Sequence, residues 1–319
     1  FQIVATDYIA TTWVETDAPS WMIMNQSTGV LSGTAPAFTG TAADTIVVNC
    51  KAGNSVGGVV SFTVTVTVAS YASTNTTSLQ LDQSTQWLQG NPVNVTAFER
   101  ATNGDGAAWS LSMWVKPNSN TANQTLMVYG AGNDYAGGAI TLKQQGGTSL
   151  ILNYGTVYDS IILVVGNAWT LNAWNHVLIS FDGGTTGSVP ADASDYYSRF
   201  TIAVDGVVQT GIGVATGGGY DGALTGTVVS DNIYRFGRAS NVHNNYSGSI
   251  INQIAIWNSD QSANLASIYN GGATQDLTSL SPSHYYEIGS SSSSIVDLIG
   301  SADLTGYDFG ASDIVTDAP

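Results

Sequence analysis

The sequence predicts an all-β protein, and three observations carry that reading. Hydrophobic residues make up 43% of the 319 positions, enough to build cores and exclude wholesale disorder. Charged residues are only 9%, so the helix formers Lys, Glu and Arg are scarce, while glycine alone numbers 36. Period-two alternation of apolar and polar side chains also recurs along the chain. The length suits one small domain followed by one large one.

The first strands to stand out lie before residue 70. Val60, Phe62, Val64, Val66 and Val68 alternate with Ser61, Thr63, Thr65 and Thr67, placing valines on a core and threonines in water. Ile46, Val48 and Cys50 alternate likewise, so Cys50 points inward as a small apolar residue. It is the single cysteine, which excludes an internal disulfide framework. Upstream come Pro19-Ser20-Trp21, Asn25 and the run Ser27-Thr28-Gly29-Val30-Leu31-Ser32-Gly33-Thr34. Its glycines permit turns between short strands, and Trp21 can plug a core. This stretch resembles the bacterial immunoglobulin-like repeats of the cadherin-like, dystroglycan-type group. The resemblance implies an immunoglobulin-like sandwich over residues 1–70, acting as a spacer or adhesion module.

Small polar residues at 69–78 mark the join, and a second domain is expected over 71–319. Its strands follow in order. Trp109, Leu111, Met113 and Val115 alternate until Pro117 stops the strand. Trp174-Asn175-His176-Val177 leads into Ile179 and Phe181, closed by Asp182-Gly183-Gly184. Phe200, Ile202 and Val204 run into Asp205-Gly206, a two-residue hairpin signal, and Val207-Val208 return. Ser247-Gly248-Ser249-Ile250 precedes Ile254-Ala255-Ile256-Trp257-Asn258, and a short helix is expected at 263–269, ended by Gly271-Gly272. These segments, in this order, resemble the laminin-G-like branch of the concanavalin-A-like lectin/glucanase superfamily, which implies a jelly-roll sandwich. Many relatives carry an acidic pair where this chain has Asn252 and Gln253. The tail from Tyr285-Tyr286-Glu287 to Pro319 resembles the closing segment of such modules in bacteriophage structural proteins.

Charge narrows the function. Seven Lys and Arg stand against 23 acids, for a net −16. That balance excludes a nucleic-acid binder, which needs a basic face to displace counterions. It also predicts neutral glycans or proteins as partners, since anionic polymers would be repelled. No apolar run reaches membrane-spanning length. Phe1 opens without a methionine or signal-type core, so the chain is expected to be a processed product or part of something longer.

Catalysis is not expected. A retaining glycosidase needs two carboxyls about 5–5.5 Å apart. Only Glu15, Glu99 and Glu287 are glutamates, no E-x-D-x-E cluster exists, and Asp192 with Asp195 reads as a solvated turn. The three histidines, His176, His243 and His284, lack zinc spacing, and His176 is expected to be structural. Calcium is the one cofactor to consider, and it enters through the resemblance. Asp134, in Gly132-Asn133-Asp134-Tyr135, corresponds to the calcium aspartate stretch of laminin-G domains, with Asn241, Asn244 and Asn245 as neutral oxygen donors on the second. The plain alternative is that these residues only shape turns. For sugars, the loop tyrosines Tyr135, Tyr220 and Tyr246 are the candidate stacking residues.

The expected role is therefore a non-enzymatic virion structural protein of a bacteriophage: a tail appendage, fibre or capsid decoration on the virion surface. Expected partners are other virion proteins, further copies of itself in a homo-oligomer or larger assembly, and host surface glycans. A bacterial extracellular adhesin or surface-filament subunit is the alternative.

Overall fold

The computed structural model describes residues 12–15, 17, 22–28, 30–33, 44–53, 59–68, 75–81, 85–90, 98, 107–118, 124–129, 140–145, 148–155, 160–183, 198–215, 234–238 and 249–319. The chain forms two compact units, Phe1–Ser73 and Thr74–Pro319.

In the first unit, β1 (Thr12–Glu15), β4 (Asp44–Gly53) and β5 (Val59–Val68) form an antiparallel sheet with β4 in the centre, and β2 (Met22–Met24) pairs with β3 (Leu31–Gly33). Along β4, Val48, Cys50 and Ala52 are buried while Val47, Asn49 and Lys51 are exposed. Cys50 thus faces inward, as the alternation predicts. Asn25 closes the β2–β3 turn, its Oδ1 accepting the N–H groups of Ser27 (3.0 Å) and Thr28 (3.1 Å). That is the Asx-turn chemistry by which an asparagine can stand in for a backbone turn. Trp21 and Gly29 lie outside the described residues.

The second unit is a sandwich of two antiparallel sheets. Its strands are β6 (Ser78–Gln80), β7 (Trp87–Gly90), β8 (Trp109–Pro117), β9 (Gln124–Tyr129), β10 (Ile140–Gln145), β11 (Ser149–Gly155), β12 (Ser160–Val165), β13 (Asn175–Phe181), β14 (Phe200–Val204), β15 (Val207–Val208), β16 (Ile212–Ala215), β17 (Tyr234–Phe236), β18 (Ser249–Trp257), β19 (His284–Tyr286), β20 (Ser294–Ile295), β21 (Leu304–Tyr307) and β22 (Ile314–Val315). Among the described residues, one sheet runs β16-β12-β11-β10-β9-β17-β7-β21-β20. The other runs β15-β14-β13-β8-β18-β6-β22, with β19 also on β18. The sheets bury one another's inner faces. Trp109 sits at the centre of this core, edge-on to Phe98 at 5.0 Å and close to Phe181, Phe200 and Tyr154.

The β8-containing sheet is buried on its outer face as well. There α1 (Leu265–Tyr269) and the chain after it pack Ile268, Leu277 and Tyr285 against Leu178, Ala203, Ala255 and Trp257. Every residue of β13 is consequently buried. The expected hairpin is present: Asp205 (φ 50°) and Gly206 (φ 75°) both adopt positive φ between β14 and β15, the geometry of a tight two-residue turn. A Cβ on Gly206 would also lie 2.4 Å from the Tyr269 ring. The expected helix forms and ends in left-handed backbone at Asn270 (φ 49°), one residue before the glycines the sequence nominates. No helix among the described residues is long and apolar enough to cross a membrane.

Candidate binding face

In the β9-containing sheet, core-facing side chains alternate with a second set pointing away from the core. The ladder register aligns that outer set into rows. Thr305 pairs with Gln89, Gln89 with Arg235, Arg235 with Val128, Val128 with Thr141, and Thr141 with Asn153. Two residues along, Tyr307 pairs with Trp87, and Thr125 pairs with Lys143. Arg238 follows β17 and places its guanidinium 4.6 Å from the Trp87 ring centroid, a cation–π contact. Trp87 is itself stacked on Tyr307, with centroids 4.5 Å apart and planes 8° from parallel.

Exposure grades across this face. Thr305 is exposed, and Gln89, Trp87 and Tyr307 are half-buried. Arg235 and Arg238 are each 8% exposed, and Lys143 5%. Arg235 Nε donates to Gln89 Oε1 at 3.0 Å, which fixes the plane of the guanidinium. Thr125 Oγ1, Trp87 Nε1 and Asn153 Oδ1 are buried polar atoms without a hydrogen-bond partner. The margin at Thr305, Gln89, Trp87 and Tyr307 thus reaches solvent, while Thr125, Val128, Thr141, Lys143, Arg235 and Arg238 are buried. Such a mixture, with few fixed polar groups beside aromatic rings, suits recognition of a hydroxyl-rich ligand.

Sequence reasoning missed this face. Gln89 and Arg235 lie on strands far apart in the chain, and only tertiary pairing makes them neighbours. The available signal was local: Arg235 is the one polar residue between Tyr234 and Phe236, and Lys143 and Thr141 flank the apolar Leu142. The residues nominated from sequence, Asp134, Asn241, Asn244 and Asn245 for calcium and Tyr135, Tyr220 and Tyr246 for sugar, lie outside the described residues.

Among the described residues, no group of three His, Cys, Asp or Glu is placed to hold a metal ion. Two described acids are shifted for structural reasons. Asp205 is raised by burial, but its Oδ1 accepts the His176 backbone N–H at 2.8 Å and it serves the hairpin. Burial alone would raise Asp297, yet its hydrogen bond from His284 and the N–H groups of Gly300, Tyr285 and Ala302 outweigh that and hold it at about 2. Tyr234, Tyr285 and Tyr286 are all pushed up chiefly by burial, so their hydroxyls stay neutral. Asn252 and Gln253 are buried amides within β18: Asn252 Nδ2 donates to Ser78 Oγ at 2.7 Å and Gln253 Nε2 to Tyr285 Oη at 2.7 Å.

Comparison with known proteins agrees with this architecture. A laminin G-type family model, described as the concanavalin A-like lectin/glucanases superfamily, matches residues 89–265. No curated protein matches the sequence. Among solved structures, a proposed carbohydrate-binding protein from Bacteroides ovatus is similar at 14% identity, with a TM-score of 0.50, over 83% of this chain and 68% of that one. Domains LG4-5 of the mouse laminin alpha1 chain align at 12% identity and a TM-score of 0.36, over 61% and 45% of the two chains. Trypanosoma rangeli sialidase aligns at 14% identity and a TM-score of 0.34, over 51% of this chain and 22% of that one.

Proposed function

The chain belongs to the concanavalin A-like lectin/glucanases superfamily, and from that premise we propose that it is a non-enzymatic, glycan-binding structural protein of a bacteriophage virion. The observation that carries the binding half is the row of Gln89, Arg235, Thr141 and Asn153 on one sheet face, bordered by Trp87 and Tyr307. The carbohydrate binding proposed for the similar Bacteroides ovatus protein supports the same reading. The non-enzymatic half rests on chemistry: glycoside hydrolysis needs one carboxyl kept protonated opposite another. The strands of this sheet carry no Asp or Glu at all. Residues 1–70 serve as an immunoglobulin-like spacer, and display in many copies on a virion surface compensates for weak single-site affinity.

Calcium at Asp134 with Asn241, Asn244 and Asn245 is part of this proposal. Millimolar calcium then raises the melting temperature by mass action, and Asp134→Ala abolishes the shift.

The test is a multimerised chain on host cells and on a polysaccharide panel. The reading expects cell binding that soluble glycan competes away, without release of reducing sugar. Sugar release above background, lost on replacing a single aspartate, overturns the non-enzymatic reading. Absence of binding even by the multimer leaves a purely architectural subunit.

A further inference from the structure

We infer that Asn270 is a site of covalent self-modification: its side-chain amide is lost to attack by the Gly271 backbone nitrogen, leaving aspartate and isoaspartate at the end of α1. The inference is independent of the glycan-binding reading. Asn-Gly pairs occur twice in the chain, at Asn103-Gly104, outside the described residues, and at Asn270-Gly271.

The chemistry needs only water. The Gly271 nitrogen forms a bond to Asn270 Cγ, its proton leaves with the side-chain nitrogen as ammonia, and a cyclic succinimide remains. Water then adds at either ring carbonyl and opens one C–N bond. One opening gives aspartate; the other carries the main chain through the side-chain carbon and gives isoaspartate. A side chain on the following residue would crowd the attacking nitrogen, and glycine has none. Asn167 (φ 55°) and Asn172 (φ 57°) share the left-handed backbone of Asn270 (φ 49°), but each is followed by alanine.

The turn is open where the reaction occurs. Asn270 is half-buried, and Gly271, Gly272 and Ala273 are exposed. A Cβ on Gly271 would meet no atom within 4 Å. The Asn270 amide makes one long hydrogen bond, Nδ2 donating to Ala273 O at 3.4 Å. Asp205-Gly206 is the contrasting case. There the carboxylate accepts the His176 N–H at 2.8 Å, and a Cβ on the glycine would lie 2.4 Å from the Tyr269 ring. Ring closure at Asn270 requires ψ to swing from its resting 41°, which local opening of so lightly held a turn supplies.

Both products replace an amide donor by a carboxylate, so the bond to Ala273 O is lost and a negative charge is gained. Isoaspartate also lengthens the main chain between Ile268 and Leu277, two buried anchors of the layer that carries α1. Modified protein should therefore melt at a lower temperature than fresh protein.

The test incubates the purified protein in warm, mildly alkaline buffer beside a synthetic peptide of residues 265–277. Peptide mapping resolves this position from Asn103. The Asn270 fragment is expected to acquire an acidic form and an isoaspartate that accepts label from an isoaspartyl methyltransferase, severalfold more slowly than the free peptide. Asn270→Gly removes the amide but keeps a residue suited to the left-handed cap, and it should abolish the change at this position. A melting curve shows whether that variant folds; should it not, the comparison of protein with peptide decides alone. An intact Asn270 in the folded protein after the free peptide has reacted completely overturns the inference.

Discussion

Ser112 Oγ lies 2.8 Å from His176 Nε2, the two being diagonal neighbours on the β8–β13 ladder. A hydroxyl against an imidazole is the opening half of a nucleophile–base arrangement, but the remaining geometry makes it a packing device. His176 Nδ1 has no partner, and Asp205, which would have to orient the ring, binds the His176 backbone instead. Both side chains are buried, with Trp114 4.9 Å and Tyr269 5.8 Å from the imidazole centroid. Burial lowers the His176 pKa to about 3, so the ring is neutral at any ordinary pH.

That depressed value has a consequence for acid stability. In the unfolded chain His176 takes up a proton near pH 6.5, while in the folded protein it resists until about pH 3. The unfolded state therefore binds more protons between those limits, and stability falls as pH drops from 6.5 towards 3. Between pH 6.5 and 4 the loss should be on the order of 3 kcal/mol. His176→Gln, which can keep a bond to Ser112, should flatten that part of the profile. Chemical denaturation at a series of pH values tests this, and an unchanged slope in the variant would refute it.

Asp297 should be the most sensitive acid in the second unit. Its carboxylate accepts His284 Nδ1 at 2.6 Å and the N–H groups of Gly300 (2.9 Å), Tyr285 (3.1 Å), Ala302 (3.1 Å) and Ile299 (3.3 Å). Asp297→Ala leaves these donors buried or strained and should cost roughly 3–5 kcal/mol. Gly300→Ala should cost about 2 kcal/mol, because a Cβ there would sit 2.4 Å from Asp297 Oδ2 and 2.7 Å from His284 Nδ1. Thermal melts of the two variants check both figures. Acid adds a further signature: the contribution of Asp297 is complete above pH 3.8 and is lost as pH falls towards 2.

These cases show which parts of the molecule could be read from sequence. The β8 strand was legible because Trp109, Leu111, Met113 and Val115 all face the core and Pro117 ends the run. The turn at Asp205-Gly206 was legible because its positive φ values demand such residues. Alternation by itself would turn Ser110 and Ser112 to solvent, but the layer carrying α1 buries them, together with His176, whose structural role the sequence does suggest. The candidate face was illegible for another reason. Its residues become neighbours through the pairing of β7, β17, β9 and β10, and a ladder register across such separations leaves no local trace.

The amides in β18 provide the last prediction, and it concerns whether an acid could occupy that strand at all. The ladder with β8 slips between Ile251 and Ile254, and Asn252 and Gln253 fill the irregularity. Asn252 uses both ends of its amide: Nδ2 donates to Thr77 O at 3.0 Å and Ser78 Oγ at 2.7 Å, while Oδ1 accepts Asn75 Nδ2 at 3.0 Å and Gln253 N at 2.6 Å. Asn75 in turn donates to Ile288 O, so one buried amide ties the entry of the domain to the segment after β19. An aspartate keeps the two accepting bonds but cannot donate, and its charge would confront the Thr77 carbonyl in a site with no exposed surface. Asn252→Asp should therefore cost roughly 2–4 kcal/mol at pH 7 and less at pH 4, where the protonated acid can donate once. The pH comparison should be made on the difference between variant and parent, since His176 destabilises both alike as pH falls. A loss below about 0.5 kcal/mol at pH 7 would show that this strand tolerates an acid, and the amides would then need an explanation other than folding.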